Sequence, residues 1–293
     1  MADSSKIEWT SATWNPVTGC TKVSPGCAHC YAETFAERWR GTPGHHFENG
    51  FDVTLRPERL EQPLHWKRPR RIFVNSMSDV FHEAVPDDFI ARMFAVMAEC
   101  PQHTFQVLTK RHGRMRSLLT RLVAKPPPNI WLGVSVENQH WADIRIPALL
   151  ATPAAVRFLS CEPLLGPADV ERFLWDGDRD APGGLHWVIC GGESGPGARP
   201  MVPAWARSLR DQCRDADVPF FFKQWGAFAP EANGHDRGGI YFLDSRGHGW
   251  NRMPKLAPPD AVVMRRVGKG AGGRLLDGRT WDEFPRAAET AAA

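Results

Sequence analysis

From residue 71 onward the chain repeats one pattern: a continuous apolar, β-branched run breaks off in polar residues, and a helical pattern follows. The runs are RIFVNSMSD (71–79), TFQVLTKRH (104–112), IWLGVSVEN (130–138), VRFLSCEP (156–163), HWVICGGES (186–194) and PFFFKQWG (219–226). Between them, Pro86 to Glu99, Arg114 to Val123, Gln139 to Ala151 and Pro203 to Ala216 carry helical spacing. Strands and helices alternating at this interval form crossover units, so the strands pair in parallel. Strands that are apolar throughout, rather than at every second residue, belong to a sheet covered on both faces. A first strand near Thr13 to Val17 brings the count to about seven. The expected fold is α/β, a complete or partial TIM-like (β/α) barrel, with a doubly wound open sheet as the alternative.

Outside this pattern, residues 41–70 form a long connection with one short helix around Pro57 to Trp66. After Phe228 the grammar changes, and YFLDS and AVVMRRV read as short strands. The expected organisation is a barrel over 1–228, with an N-terminal three-cysteine loop, and a small β-rich C-terminal extension with its tail over 229–293. GKGAGGR (268–274) lacks the ending of a phosphate loop and reads as a hairpin turn, and EFPRAAETAAA reads as a frayed tail.

With 293 residues, 42% of them hydrophobic, the chain can bury a large core. No apolar run is long enough for a membrane span, and MADSSKIEW lacks a signal-peptide pattern, so a cytoplasmic protein with no membrane partner is expected. The net charge of +3 is mild, but it concentrates in Lys67 to Arg71 and in Lys110 to Arg116. Such runs serve as solvated helix ends or as phosphate contacts.

In a β/α barrel, chemistry sits at the carboxyl ends of the strands. Here those ends supply Asn75, Ser76, Ser78 and Asp79; Thr109, Lys110 and Arg111; Ser135, Glu137 and Asn138; Ser160, Cys161 and Glu162; Glu193 and Ser194; Lys223 and Gln224. Charges of both signs on one rim must pair with one another or engage a charged ligand. In CGGESGPGARP (190–200), Gly191 and Gly192 allow close backbone approach, and Glu193 can accept from an amine or a ribose hydroxyl.

Seven cysteines, an odd number, do not form a secreted disulfide framework. Cys100, Cys161, Cys190 and Cys213 are scattered and read as small buried hydrophobes, whereas Cys20, Cys27 and Cys30 crowd into eleven residues. Structural zinc needs four closed ligands, which would draw in His29, His45 or His46. An electron-transfer cluster normally takes four cysteines, and a cluster on three leaves one iron open. The open cluster suits Cys20 best, because that residue follows the first expected strand.

The segments IEWTSATWNPVTGC, PGCAHCYAE, FVNSMSDVFHE, FQVLTKRH, GVSVEN, FLSCEPLLG, CGGESG, FFKQWG and LDGRTWDEFP extend from Ile7 to Pro285. Through them the chain resembles a phage-associated family of three-cysteine proteins of unknown function, similar in turn to the radical S-adenosylmethionine (SAM) superfamily. That resemblance implies a [4Fe–4S] cluster on Cys20, Cys27 and Cys30, SAM at its open iron, and cleavage of SAM to a 5′-deoxyadenosyl radical. It also implies an electron donor such as a flavodoxin or ferredoxin, and a nucleic-acid or nucleotide substrate by analogy with spore photoproduct lyase. The alternative is a non-catalytic zinc- or iron–sulfur-binding nucleic-acid-binding protein.

The superfamily spaces its cysteines by three residues and then two, whereas this chain has six and then two. Its GGE-like motif, which holds the SAM amino group, follows the second strand; here that strand ends in NSMSD, and GGE follows the sixth. Ser76 and Asp79 therefore stand beside Glu193 for that role. The resemblance further implies a ribose contact from Ser135, Glu137 or Asn138, and a carboxylate partner in Lys110 or Arg111. Glu162, Gly191, Gly192 and Lys223 complete the expected cofactor-binding rim.

Overall fold

Apolar runs with no polar alternation can satisfy their backbone and bury both faces only inside a covered sheet. In the computed structural model, which describes residues 5–174, 184–231, 239–252 and 258–285, they do so. The strands are β1 (Ala12–Trp14), β2 (Val17–Thr18), β3 (Thr54–Leu55), β4 (Arg71–Val74), β5 (Thr104–Thr109), β6 (Ile130–Ser135), β7 (Val156–Cys161), β8 (Trp187–Gly191) and β9 (Phe220–Gln224). Every residue of β6 and of β8 is buried.

Seven of these strands form one sheet in the order β1-β4-β5-β6-β7-β8-β9. The pairs β1–β4, β4–β5, β5–β6 and β8–β9 are parallel. The order follows the chain without reversal. A doubly wound sheet reverses at its switch point, so that alternative is corrected, and the mixed α/β fold has the strand order of a partial β/α barrel.

The expected first strand is split. Asn15 and Pro16 separate β1 from β2, because Pro16 has no N–H for a ladder. β2 pairs instead with β3 in an antiparallel ribbon, and the Pro16 carbonyl accepts the Arg56 amide at 2.7 Å. The expected short helix of the long connection is two 3₁₀ turns, Pro57–Arg59 and Gln62–His65.

The four expected helices fall within two residues of their expected bounds, and a fifth, α1 (Tyr31–Glu37), was not expected. It follows the cysteine loop; α2 (Asp87–Ala98), α3 (His112–Leu122), α4 (Gln139–Leu150) and α5 (Pro203–Asp215) are the crossover helices. α2 buries Phe89, Ile90, Met93, Phe94 and Met97, and α5 buries Trp205, Ala206, Leu209 and Cys213, each a single helical stripe. Gly133 in β6 is a packing glycine: a Cβ there would lie 2.5 Å from the Phe158 ring.

The chain divides into two compact units. One comprises Met1–Ser135, Arg145–Phe158 and Pro285–Ala293; the other comprises Val136–Ile144 and Leu159–Phe284. Within the second, β10 (Phe228–Pro230), β11 (Gly239–Leu243), β12 (Gly249–Trp250) and β13 (Val262–Arg266) form an antiparallel sheet in the order β10-β13-β11-β12. GKGAGGR is not a hairpin. Lys269–Gly272 makes one helical turn, α6, between Gly268 and Gly273, both at positive φ. The chain then returns along β9, where the Phe222 amide donates to the Trp281 carbonyl at 2.9 Å. Residues 286–293 of the expected tail lie outside the described residues.

Candidate metal and cofactor site

In the first unit, two main-chain bonds lead the chain into Cys20. The Gly19 amide donates to Met77 O at 2.9 Å and the Cys20 amide to Phe51 O at 3.2 Å. Gly19 has φ +87°, and a Cβ on it would lie 2.2 Å from the Asp52 carbonyl oxygen, so only glycine makes this turn. Cys27 ends a 3₁₀ turn (Pro25–Cys27), and Cys30 is the cap residue of α1.

All three thiols are free and half-buried. Burial pushes the Cys20 thiol up to about 11, with the Asp79 carboxylate adding to the rise and Arg111 opposing it. Burial also raises Cys30, against the backbone amides of Glu33 and Ala32 and the Lys110 ammonium. Cys27 contributes to the field at both of the other thiols, so the three share one electrostatic neighbourhood. Among the described residues no three His, Cys, Asp or Glu side chains converge on a single metal ion.

Two of the histidines considered as a fourth ligand, His45 and His46, are engaged elsewhere. His45 stacks on Trp39 with centroids 4.1 Å apart. His46 lies 3.2 Å from Arg59 Nη2, and burial with Arg59 and Arg56 lowers it to about 4. As a donor set, three free thiols on one loop fit a cluster held by three cysteines.

The strand ends beside this loop are tied together. Asp79 is buried and accepts Thr109 Oγ1 at 2.7 Å, the Lys110 amide at 2.9 Å and the Phe81 amide at 2.9 Å. It therefore splices the segment after β4 to the end of β5. Ser76 donates to Asn15 Oδ1 at 3.2 Å, and its carbonyl accepts Tyr31 Oη at 2.5 Å. Arg111 bonds Glu83, and its Nη2 reaches Thr21 Oγ1 at 2.7 Å and Thr21 O at 3.2 Å.

His82 completes that clamp. Its Nδ1 accepts the Ala84 amide at 3.1 Å, which leaves Nε2–H to donate to Thr21 Oγ1 at 2.9 Å. Burial, with Arg111 nearby, holds the imidazole below its ordinary range. Thr21, His82 and Glu83 were not among the expected site residues, although the last two lie in FVNSMSDVFHE. Their signal is spatial, since Thr21 meets His82 across 61 residues of chain.

Ser135 is buried at the end of β6, and its carbonyl accepts Arg145 Nη1 at 2.8 Å. The basic run Lys110–Arg116 is partly consumed in the same way. Arg114 bonds the Val85 carbonyl and Asp87 Oδ1, both at 2.6 Å, at the start of α2.

In the second unit, Glu162 and Lys223 pair at 2.9 Å with side chains 13% and 18% exposed, and Ser160 Oγ donates to Glu162 at 3.0 Å. Glu137 is fully buried, and its carbonyl accepts the Leu165 amide at 2.7 Å. Asn138 Oδ1 accepts the Trp141 amide at 3.4 Å, a weak cap on the start of α4. Glu193 is enclosed by Arg199: Oε2 accepts the Arg199 amide and Nε, and Oε1 accepts Nη2.

The space beside the two glycines is also occupied. A Cβ on Gly191 would lie 2.8 Å from Glu162 Oε1, and one on Gly192 would lie 2.0 Å from the Trp225 carbonyl oxygen. The close approach expected of a ligand at this motif is made here by the protein's own groups. Arg199, missed from the sequence, sits in the same loop as the carboxylate it binds.

These features describe a mixed α/β protein with three free thiols on the segment between β2 and α1. A family model described as "Protein of unknown function (DUF5131)" matches residues 4–285, and the chain belongs to that family. Among curated proteins, none matches it. A solved structure, "Spore photoproduct lyase complexed with dinucleoside spore photoproduct", is similar at 12% identity and a TM-score of 0.38, over 74% of this chain. The chain spans 64% of that structure's length. No helix among the described residues is long and apolar enough to cross a membrane.

Proposed function

We propose that the protein is an iron–sulfur enzyme of the radical SAM type, with Cys20, Cys27 and Cys30 holding a [4Fe–4S] cluster that binds SAM at its open iron. The observation that carries this reading is the trio of free, half-buried thiols sharing one field, with Lys110 and Arg111 as the cations beside them. When bound, the pair would supply one-electron cleavage of SAM to a 5′-deoxyadenosyl radical. The chain's own part is to hold the thiols, to oppose their negative charge with Lys110 and Arg111, and to keep water from the strand ends. The substrate is proposed to be a nucleic acid or nucleotide and the reductant a flavodoxin- or ferredoxin-like donor; the resemblance of the sequence motifs supports both.

The test is anaerobic reconstitution followed by metal, sulfide and product analysis. Brown protein with about four iron and four sulfide per chain, which releases 5′-deoxyadenosine from SAM on reduction, is expected. Parallel reactions with DNA, RNA and nucleotides then identify the substrate class. Colourless protein holding one zinc would overturn the cluster, and a full cluster that never cleaves SAM would overturn the enzyme.

A further inference from the structure

The loop between Cys20 and Cys27 holds six residues. A longer loop has more conformations to lose when its two ends must meet one ligand group, so it needs an anchor. The structure provides one immediately after the first thiol. Thr21 is gripped through its hydroxyl by His82 Nε2 at 2.9 Å and by Arg111 Nη2 at 2.7 Å, and through its carbonyl by Arg111 Nη2 at 3.2 Å.

Arg111 is itself held by Glu83. Asp79 fixes the main chain leading into Arg111, because its Oδ2 accepts the Lys110 amide at 2.9 Å. The Arg111 side chain is only 12% exposed. With both terminal nitrogens committed, its Nε remains buried with no hydrogen-bond partner. A buried guanidinium N–H without an acceptor is costly, so this one stands ready to donate. Arg111 is also a positively charged neighbour of Cys20.

We infer that Arg111 is a positioning residue for the cysteine loop: it anchors Thr21 and donates Nε–H to the Cys20 sulfur when that sulfur is a cluster thiolate. This rests on the cluster proposed above. It replaces the role that the sequence motifs imply for Arg111, a partner for the SAM carboxylate. A hydrogen bond and a positive charge at a ligating sulfur stabilise the reduced cluster, and outer partners of this kind hold the metal group in place.

The experiment uses the full-length, anaerobically reconstituted protein, with potentiometric titration of the cluster and its rate of iron loss to a chelator. Arg111→Gln is expected to load iron and sulfide, to shift the midpoint potential negative, and to lose iron about 10-fold faster than the parent. Arg111→Lys is expected to recover part of the potential, because it keeps the charge, while iron loss stays fast. Thr21→Val, which removes the gripped hydroxyl and leaves Arg111 in place, is expected to accelerate iron loss and decides the matter if Arg111→Gln does not fold. Parent-like potential and iron retention in Arg111→Gln, or in Thr21→Val where Arg111→Gln is unfolded, overturn the inference and leave the cluster standing. A parent protein that binds no iron and sulfide overturns both.

Discussion

Arg199 closes on Glu193 from three nitrogens: its amide and Nε reach Oε2 at 2.8 Å each, and Nη2 reaches Oε1 at 2.6 Å. The carboxylate side chain is 5% exposed and the guanidinium 36%. A carboxylate held this way orders the GESGPGAR loop through charge-assisted bonds.

Glu193→Ala is therefore expected to cost about 1–3 kcal/mol of stability, since it strips a part-buried loop amide and a guanidinium of their acceptor. Urea denaturation would show it as a lower midpoint with an unchanged slope. Iron content should be unaffected. A variant of parental stability that binds SAM more weakly would instead put the carboxylate in ligand contact.

The two glycines before Glu193 lead to a paired comparison. Gly192→Ala would place a methyl 2.0 Å from a main-chain oxygen that no side-chain rotation can move. A loss of about 3 kcal/mol, at the upper end for overpacking, is expected. Gly195→Ala, at φ +95° with nothing within 4 Å, faces only backbone strain. It should cost about 1–2 kcal/mol. Thermal unfolding of both proteins checks the order, and equal costs would contradict the packing role.

Thiol chemistry separates the cysteines into two groups. Cys100, Cys161, Cys190 and Cys213 are at most 1% exposed, and burial raises each thiol above its ordinary range. Alkylation of the metal-free native protein, read by peptide mass spectrometry, should label Cys20, Cys27 and Cys30 and spare these four.

Within the reactive set, Cys20 should gain rate as pH climbs from 9 toward about 11, because its thiolate forms late. The linkage has a definite sign. A folded-state value above the unfolded one means that the metal-free protein loses stability through that same interval. A labelling rate that levels off below pH 9 would contradict the burial of this sulfur.

Cys30→Ala removes a thiol that makes no side-chain cap bond to α1. The fold should survive, with a stability change of at most about 1 kcal/mol. Iron retention after reconstitution should fall to background. A variant that still carries a full complement of iron would remove Cys30 from the ligand set.

The strands and crossover helices were legible because each apolar run stops where the sheet stops, as β5 does at Thr109 and β8 at Gly191. The same local rule cannot show what a polar strand end meets. Glu193 and Arg199 are six residues apart, yet nothing in the loop's composition declares that it folds back on itself. Asp79 reads as a ligand for an amine, but its oxygens are taken up by groups 30 and 31 residues away. GGE reads as a ligand loop because glycine vacates space, and only the structure shows Glu162 and Trp225 filling it. Pairings set by tertiary closure were hidden, and patterns set by burial were visible.

The turn at Gly19 has a consequence for how sequence can vary around the site. The first thiol is presented by main-chain bonds to Met77 and Phe51 and by main-chain contact with Asp52, none of which depends on side-chain identity. A saturation scan of residues 19, 51, 52 and 77, read by folding, should show one intolerant position, Gly19, among three permissive ones. Met77, Phe51 and Asp52 would accept many replacements while Cys20 stays where it is, but any side chain at residue 19 would displace it.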